Sequence, residues 1–139
     1  MNEFIRKVNY HETDKMGVTH HSNYIKFMEE ARIYFLNEVG FSYARLESEG
    51  IMSPVIGVEC KYFKPTTFND EIKIIVKLKE YNGVRLAISY EMFNIKTGDL
   101  VLKGTTRHCF ISRNHVPVAL KKVLPEFDNM LKSMIKVQE

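Results

Sequence analysis

An α+β fold is predicted for this chain: a curved antiparallel sheet of about five strands wrapped around one long helix, with a short C-terminal helix. Three observations predict it. An amphipathic helical pattern comes early, several strictly alternating runs follow it, and the helix carries an aromatic stripe that only those strands can cover. The 139 residues are expected to form one domain over 1–139, because two separate cores would each be small enough to need disulfides or metal. With 45% hydrophobic and 27% charged residues, the chain has enough Leu, Ile, Val and Phe to offset its conformational entropy, which excludes disorder.

Phe4 to Tyr10 (FIRKVNY) reads as a first strand, ended by the loop chemistry of His11, Glu12, Thr13 and Asp14, so that Asp14 is delivered to a strand end. From Asn23 to about Glu38 apolar residues recur at Tyr24, Phe27, Met28, Ala31, Tyr34 and Phe35, the spacing of one helical face. Ser22 or Asn23 can cap its start, and Gly40 marks its end. In IKIIVKL, Ile72, Ile74, Val76 and Leu78 share one face; in LAISYEMF, Leu86, Ile88, Tyr90 and Met92 do. Asn82-Gly83 between them predicts a two-residue hairpin turn, because both residues tolerate positive φ. A turn at Lys96 to Asp99 leads into a strand from Leu100 to Ser112, and Val55 to Phe63, closed by Pro65, makes one more. Beyond Pro117 and Pro125, the spacing of Leu124, Phe127, Met130, Leu131, Met134 and Ile135 predicts the C-terminal helix.

Several function classes fall away. No apolar run is long enough for a signal-peptide core or for the roughly twenty residues that span a bilayer, so a cytoplasmic protein is expected. Cys60 and Cys109 then read as buried thiols rather than a bridge or half a zinc site. A net charge of +3 is too small to argue for nucleic acid, though it helps a polyanionic ligand approach. There is no GxxxxGK phosphate loop and no GxSxG nucleophile elbow. His11, His20, His21 and Asp14 do not make a metal set, since adjacent histidines converge poorly and no HxxxH spacing occurs.

The stretch TDKMGVTHHSNYIKFMEEAR, residues 13–32, resembles the signature of the hotdog-fold thioesterases, specifically the 4-hydroxybenzoyl-CoA thioesterase-like group of acyl-CoA hydrolases. Tyr10, Thr13-Asp14, Gly17, His21, Tyr24 and the run Glu29-Glu30-Ala31-Arg32 carry the resemblance, which extends from Val8 to about Ser112. It implies a hotdog fold, an acyl-CoA substrate, Asp14 as the catalytic carboxylate with Tyr10 and His21 beside it, and a homodimer or dimer of dimers with joined sheets and sites at the subunit interface. Other branches of the fold use a glutamate of the long helix, which makes Glu29 and Glu30 rivals; their charged turn faces away from Tyr24, Phe27 and Ala31, toward solvent or a salt bridge. A non-catalytic protein that binds an acyl thioester or acyl carrier, or a dehydratase of the same architecture, is the alternative.

Hydrolysis of a small or medium acyl-CoA to free acid and CoA needs a nucleophile at the carbonyl carbon and a donor for its oxygen. A carboxylate serves either by taking a proton from water or by attacking directly to give a mixed anhydride. Asp14 precedes a helix start, where unpaired amides near His21, Ser22, Asn23 and Tyr24 are expected to hold the thioester oxygen, and Gly17 lets the loop fold back toward them. His21 can orient water or contact Asp14. Lys61, Lys64, Arg107 and Arg113 are the basic side chains expected to suit the CoA phosphates. No metal or redox cofactor is implied, coenzyme A being part of the substrate.

Overall fold

Alternation decides the strands, as the computed structural model, which describes residues 3–138, makes plain. Ile72, Ile74, Val76 and Leu78 are all buried in β4 (Glu71–Tyr81), and Leu86, Ile88, Tyr90 and Met92 are all buried in β5 (Arg85–Asn94). With β1 (Glu3–Lys7), β3 (Val55–Tyr62) and β6 (Leu100–Cys109) they form a five-stranded antiparallel sheet in the order β1-β4-β5-β6-β3. A short ribbon pairs β2 (Ile51–Met52) with β7 (Ile111–Ser112), and the helices are α1 (Ser22–Glu38), α2 (Tyr43–Ser48), α3 (Leu120–Val123) and α4 (Pro125–Gln138). No helix among the described residues is long and apolar enough to cross a membrane.

The chain gathers into two compact units: one holds the chain up to Phe35, Cys60–Val76 and Tyr90–Gly104, the other Leu36–Glu59, Lys77–Ser89 and the chain from Thr105. In the first, β1 runs antiparallel to β4 with Glu3 opposite Ile75 and Lys7 opposite Glu71. Tyr24, Phe27, Met28, Ala31 and Phe35 of α1 are buried, as their spacing predicts, whereas Tyr34 is half-exposed and its ring lies 5.4 Å from that of Phe4. The Arg6 guanidinium covers the Phe27 ring at 4.5 Å, and Arg32 donates to the Tyr90 hydroxyl at 3.2 Å.

The first strand stops at Lys7, not Tyr10, and Asp14 does not stand at its end. Glu12 is the cause: its carboxylate accepts the Asn9 N–H at 2.8 Å and two N–H groups of Arg6 at 2.7 and 2.6 Å, which bends Tyr10–Glu12 into a 3-10 turn.

In the second unit the Tyr81–Arg85 hairpin has three residues between its strands rather than two. Only Gly83 has a positive φ, +92°, while Asn82 acts through its side chain, which accepts the N–H groups of Val84 (3.0 Å) and Arg85 (2.7 Å). The single strand predicted from Leu100 to Ser112 breaks at buried Phe110, so that Ile111 and Ser112 pair instead with β2. Pro125 opens α4, where a missing N–H costs nothing, and Phe127 stacks on Phe41 at 4.6 Å.

Candidate functional site

Asp14 is half-buried in a tight loop between the 3-10 turn and α1. Its N–H donates to Val18 O (2.9 Å), its own carbonyl accepts the Gly17 N–H (2.9 Å), and Oδ1 accepts the Met16 N–H (2.8 Å). Gly17 sits at φ +79° with open space around its Cβ position, so it is the backbone conformation that selects glycine there. Among the described residues Asp14 Oδ2 has no hydrogen-bond partner in the chain, so the carboxylate is oriented at one oxygen and open at the other.

The loop borders a cleft of about 310 Å³ lined by Asp14, Met16, Val18, Thr19, His21, Tyr24, Tyr62, Phe63, Lys64 and Pro65. Of the residues the sequence singles out, Asp14, His21, Tyr24 and Lys64 therefore meet on one surface. Tyr62 and Phe63 escape sequence reading because β3, an edge strand, lacks a clean alternation. Burial pushes the Tyr62 phenol up, as does the Cys60 thiol beside it, so Tyr62 presents a neutral hydroxyl.

Tyr10, 76% exposed, is absent from this lining; its ring packs edge-on against Phe68 at 5.6 Å, because the 3-10 turn carries it away. The row of free amides at the helix start is also corrected. Asn23 N–H donates to His20 O (3.0 Å) and Tyr24 N–H to His21 O (3.2 Å), while Ser22 N–H leans on the His20 ring (3.3 Å). The His21 N–H is the one amide of this turn without a partner among the described residues. Asn23, buried, is a strut whose Nδ2 donates to Glu12 O (3.0 Å) and His20 O (3.3 Å), and the Ser22 hydroxyl bonds His20 Nδ1 at 2.9 Å. The His21 ring stacks on His20 at 4.4 Å and stands edge-on to Tyr62 at 6.5 Å.

Lys61 extends over the Phe63 ring at 5.5 Å, outside the lining. Arg107 and Arg113 belong to the second unit: Arg107 lies 3.6 Å from Glu59 and 3.5 Å from Glu80, and Arg113 donates to Glu47 O at 3.3 Å. Glu30 is tied to Arg6 at 2.7 Å, in keeping with the salt bridge expected of it, and Glu29 is exposed. Burial would push the Glu12 carboxyl up, yet the bonds from Arg6 and Asn9 outweigh it and hold Glu12 below the usual carboxylate range; Arg6 is raised in turn, chiefly by Glu12. The Glu12–Arg6–Glu30 cluster thus anchors the start of the Asp14 loop to α1 and β1.

The chain is similar to known proteins over most of its length. The family model described as "Thioesterase-like superfamily" matches residues 8–133. YneP of Bacillus subtilis is 31% identical over 87% of this chain and 88% of its own length. The acyl-CoA thioesterase YbgC of Helicobacter pylori strain 26695 is 26% identical over 90% of this chain and 98% of its own. The crystal structure of a DHNA-CoA thioesterase from Staphylococcus aureus matches with a TM-score of 0.90 at 32% identity, covering 97% of this chain and 90% of that one.

Proposed function

Because this chain belongs to the thioesterase-like superfamily, we propose that it hydrolyses small or medium acyl-CoA thioesters to the free acid and CoA at the Asp14 cleft. The observation that carries the reading is that Asp14, with one carboxylate oxygen unengaged, and His21, with its backbone N–H unengaged, line the same cleft. The carboxylate takes a proton from the attacking water, or itself adds to the carbonyl carbon to give an anhydride that water then hydrolyses to the free acid; either way the C–S bond breaks and CoA leaves as its thiol, its proton coming from water. The His21 N–H is the donor for the carbonyl oxygen, a contribution typically of about 3 kcal/mol to the barrier. Lys64 is the cation placed to meet CoA's phosphates.

The same reading takes the chain as one hotdog domain, with α1 as the helix that the sheet curls around. It takes the protein as a homodimer joined along edge strand β3, a reading supported by exposed Val55, Ile56 and Val58. Free Cys60 and Cys109 fit a reducing, cytoplasmic setting. Thiol release from a panel of aliphatic and aromatic acyl-CoAs tests the reaction. Release from at least one is expected; binding without release across the panel would replace hydrolysis with a binding role.

A further inference from the structure

Thr19 and Tyr24, which line the cleft, join Thr66 in a chain of three buried hydroxyls. Tyr24 Oη lies 2.8 Å from Thr66 Oγ1, which lies 2.7 Å from Thr19 Oγ1. The Thr19 hydroxyl is also 3.2 Å from the Thr66 carbonyl, which can only accept. Thr19 therefore donates to that carbonyl, Thr66 donates to Thr19, and Tyr24 donates to Thr66. Every hydroxyl proton in the chain has its place.

These bonds tie three separate segments together: the Asp14 loop through Thr19, the β3–β4 connection through Thr66, and the first turns of α1 through Tyr24. The connection grips the loop twice more, with Thr19 N–H donating to Thr66 O at 2.8 Å and Thr67 Oγ1 donating to Gly17 O at 2.6 Å. Buried hydroxyl networks contribute little net stability compared with apolar side chains of the same shape, but they fix relative positions sharply. Here the positions they fix are those of the Asp14 loop and the helix start that carries His21.

We propose that Thr66 is a positioning residue for thioester hydrolysis: bonded to Thr19 and Tyr24, it sets the spacing between the Asp14 carboxylate and the His21 N–H. The inference rests on the thioesterase reading above. A small displacement of such a pair lowers the rate of the chemical step and leaves binding of the remote CoA portion almost untouched.

The test is steady-state thiol release from the best acyl-CoA of the panel by Thr66→Val, Thr66→Ser and Tyr24→Phe, alone and on an Asp14→Asn background, at a temperature below each variant's melting transition. Thr66→Val is expected to lower kcat about tenfold or more with KM within about twofold, and Thr66→Ser to restore most of the loss. On the Asp14→Asn background the same substitution is expected to change the residual rate less than about twofold, because the group it positions is gone. A folded Thr66→Val with full kcat, a Thr66→Ser no better than Thr66→Val, or an undiminished loss on the Asp14→Asn background would each overturn the proposal. If Thr66→Val does not fold, Tyr24→Phe removes one link without touching the loop; full kcat there overturns it equally. Failure of the underlying reading looks different: wild-type protein that releases no thiol, or Asp14→Asn as active as wild type, removes the reaction itself and the positioning role with it.

Discussion

Replacing Asp14 by Asn separates what the side chain does for the loop from what it does for the reaction. The loop's backbone bonds, Asp14 N–H to Val18 O and Gly17 N–H to Asp14 O, do not involve the side chain. The amide oxygen of Asn can still accept the Met16 N–H that Oδ1 accepts at 2.8 Å. What changes is the strength of that one bond, from charge-assisted to neutral, a loss of about 0.5–1 kcal/mol on a half-exposed loop, or a melting temperature lower by about 5 °C at most. With Asp14 as the proposed base or nucleophile, catalysis is expected to lose much more. An amide neither accepts a proton from water nor attacks a thioester, and removal of a general base costs about a hundredfold or more in kcat, equivalent to about 2.7 kcal/mol in the barrier. Thermal melting and thiol release from the same preparation therefore separate cleanly: nearly native stability beside a rate reduced at least a hundredfold. Asp14→Ala should match the rate loss and add a further drop in stability, because Met16 N–H then has no side-chain acceptor. Asp14→Asn turning over within threefold of wild type would refute the reasoning and move the search to exposed Glu29, since Glu30 is held by Arg6.

Two further outcomes follow from the groups around the loop. The Glu12 carboxyl is held below its usual range in the folded protein, so its pairing with Arg6 contributes stability that is present above the unfolded carboxylate value of 4.5 and is lost as the pH falls below that toward the folded value. Melting temperature should accordingly fall between neutral pH and pH values below 4.5, and Glu12→Gln should show a lower melting temperature at neutral pH with a shallower decline in acid; equal declines in both proteins would refute this. Gly17→Ala meets no atom within 4 Å of the added Cβ but must hold φ at +79°, so a loss of about 1 kcal/mol from backbone strain alone is expected in denaturant unfolding, with a smaller loss for Gly17→Asn.

The sheet was legible because alternation is a local signal: the buried set of β4 is the predicted one, and all four predicted residues of β5 are buried, joined there by Ala87 and Asn94. α1 was legible for the same reason, apart from Tyr34, which leaves the buried stripe to meet Phe4, and from Arg32 and Leu36, which are buried outside the predicted stripe. Asp14, Gly17, His21 and Tyr24 stood out because they lie within one short run. What escaped is nonlocal. In the sequence Glu12 looks like one more loop residue, yet it is buried and shapes the turn through Arg6, six positions earlier, a contact without a periodic signature. Thr66 and Tyr62 reach the cleft region from the far side of the sequence; nothing in PTTFND marks a threonine whose partners lie 47 and 42 residues away. The expected row of amides failed for a simpler reason: His20 and His21 carbonyls take two of those donors to close the first turn, which spacing alone does not reveal.

That last difference sharpens the chemistry. A helix start with four open amides would bind an anion diffusely, whereas one open amide at His21, if it is the donor as proposed, defines a single point for the carbonyl oxygen. The Asp14 carboxylate is equally restricted, one oxygen fixed by Met16 and the other open. Two groups so limited are useful only if the distance between them is maintained, and neither local segment can maintain it alone, since Asp14 and His21 are joined by a loop containing a glycine at positive φ. The clamp has to come from elsewhere in the sequence. Thr66 and Thr67 supply it, binding the loop at Gly17 and Thr19 and the helix at Tyr24, so on the proposed mechanism the β3–β4 connection should matter to the rate at the Asp14 cleft as well as the acid itself.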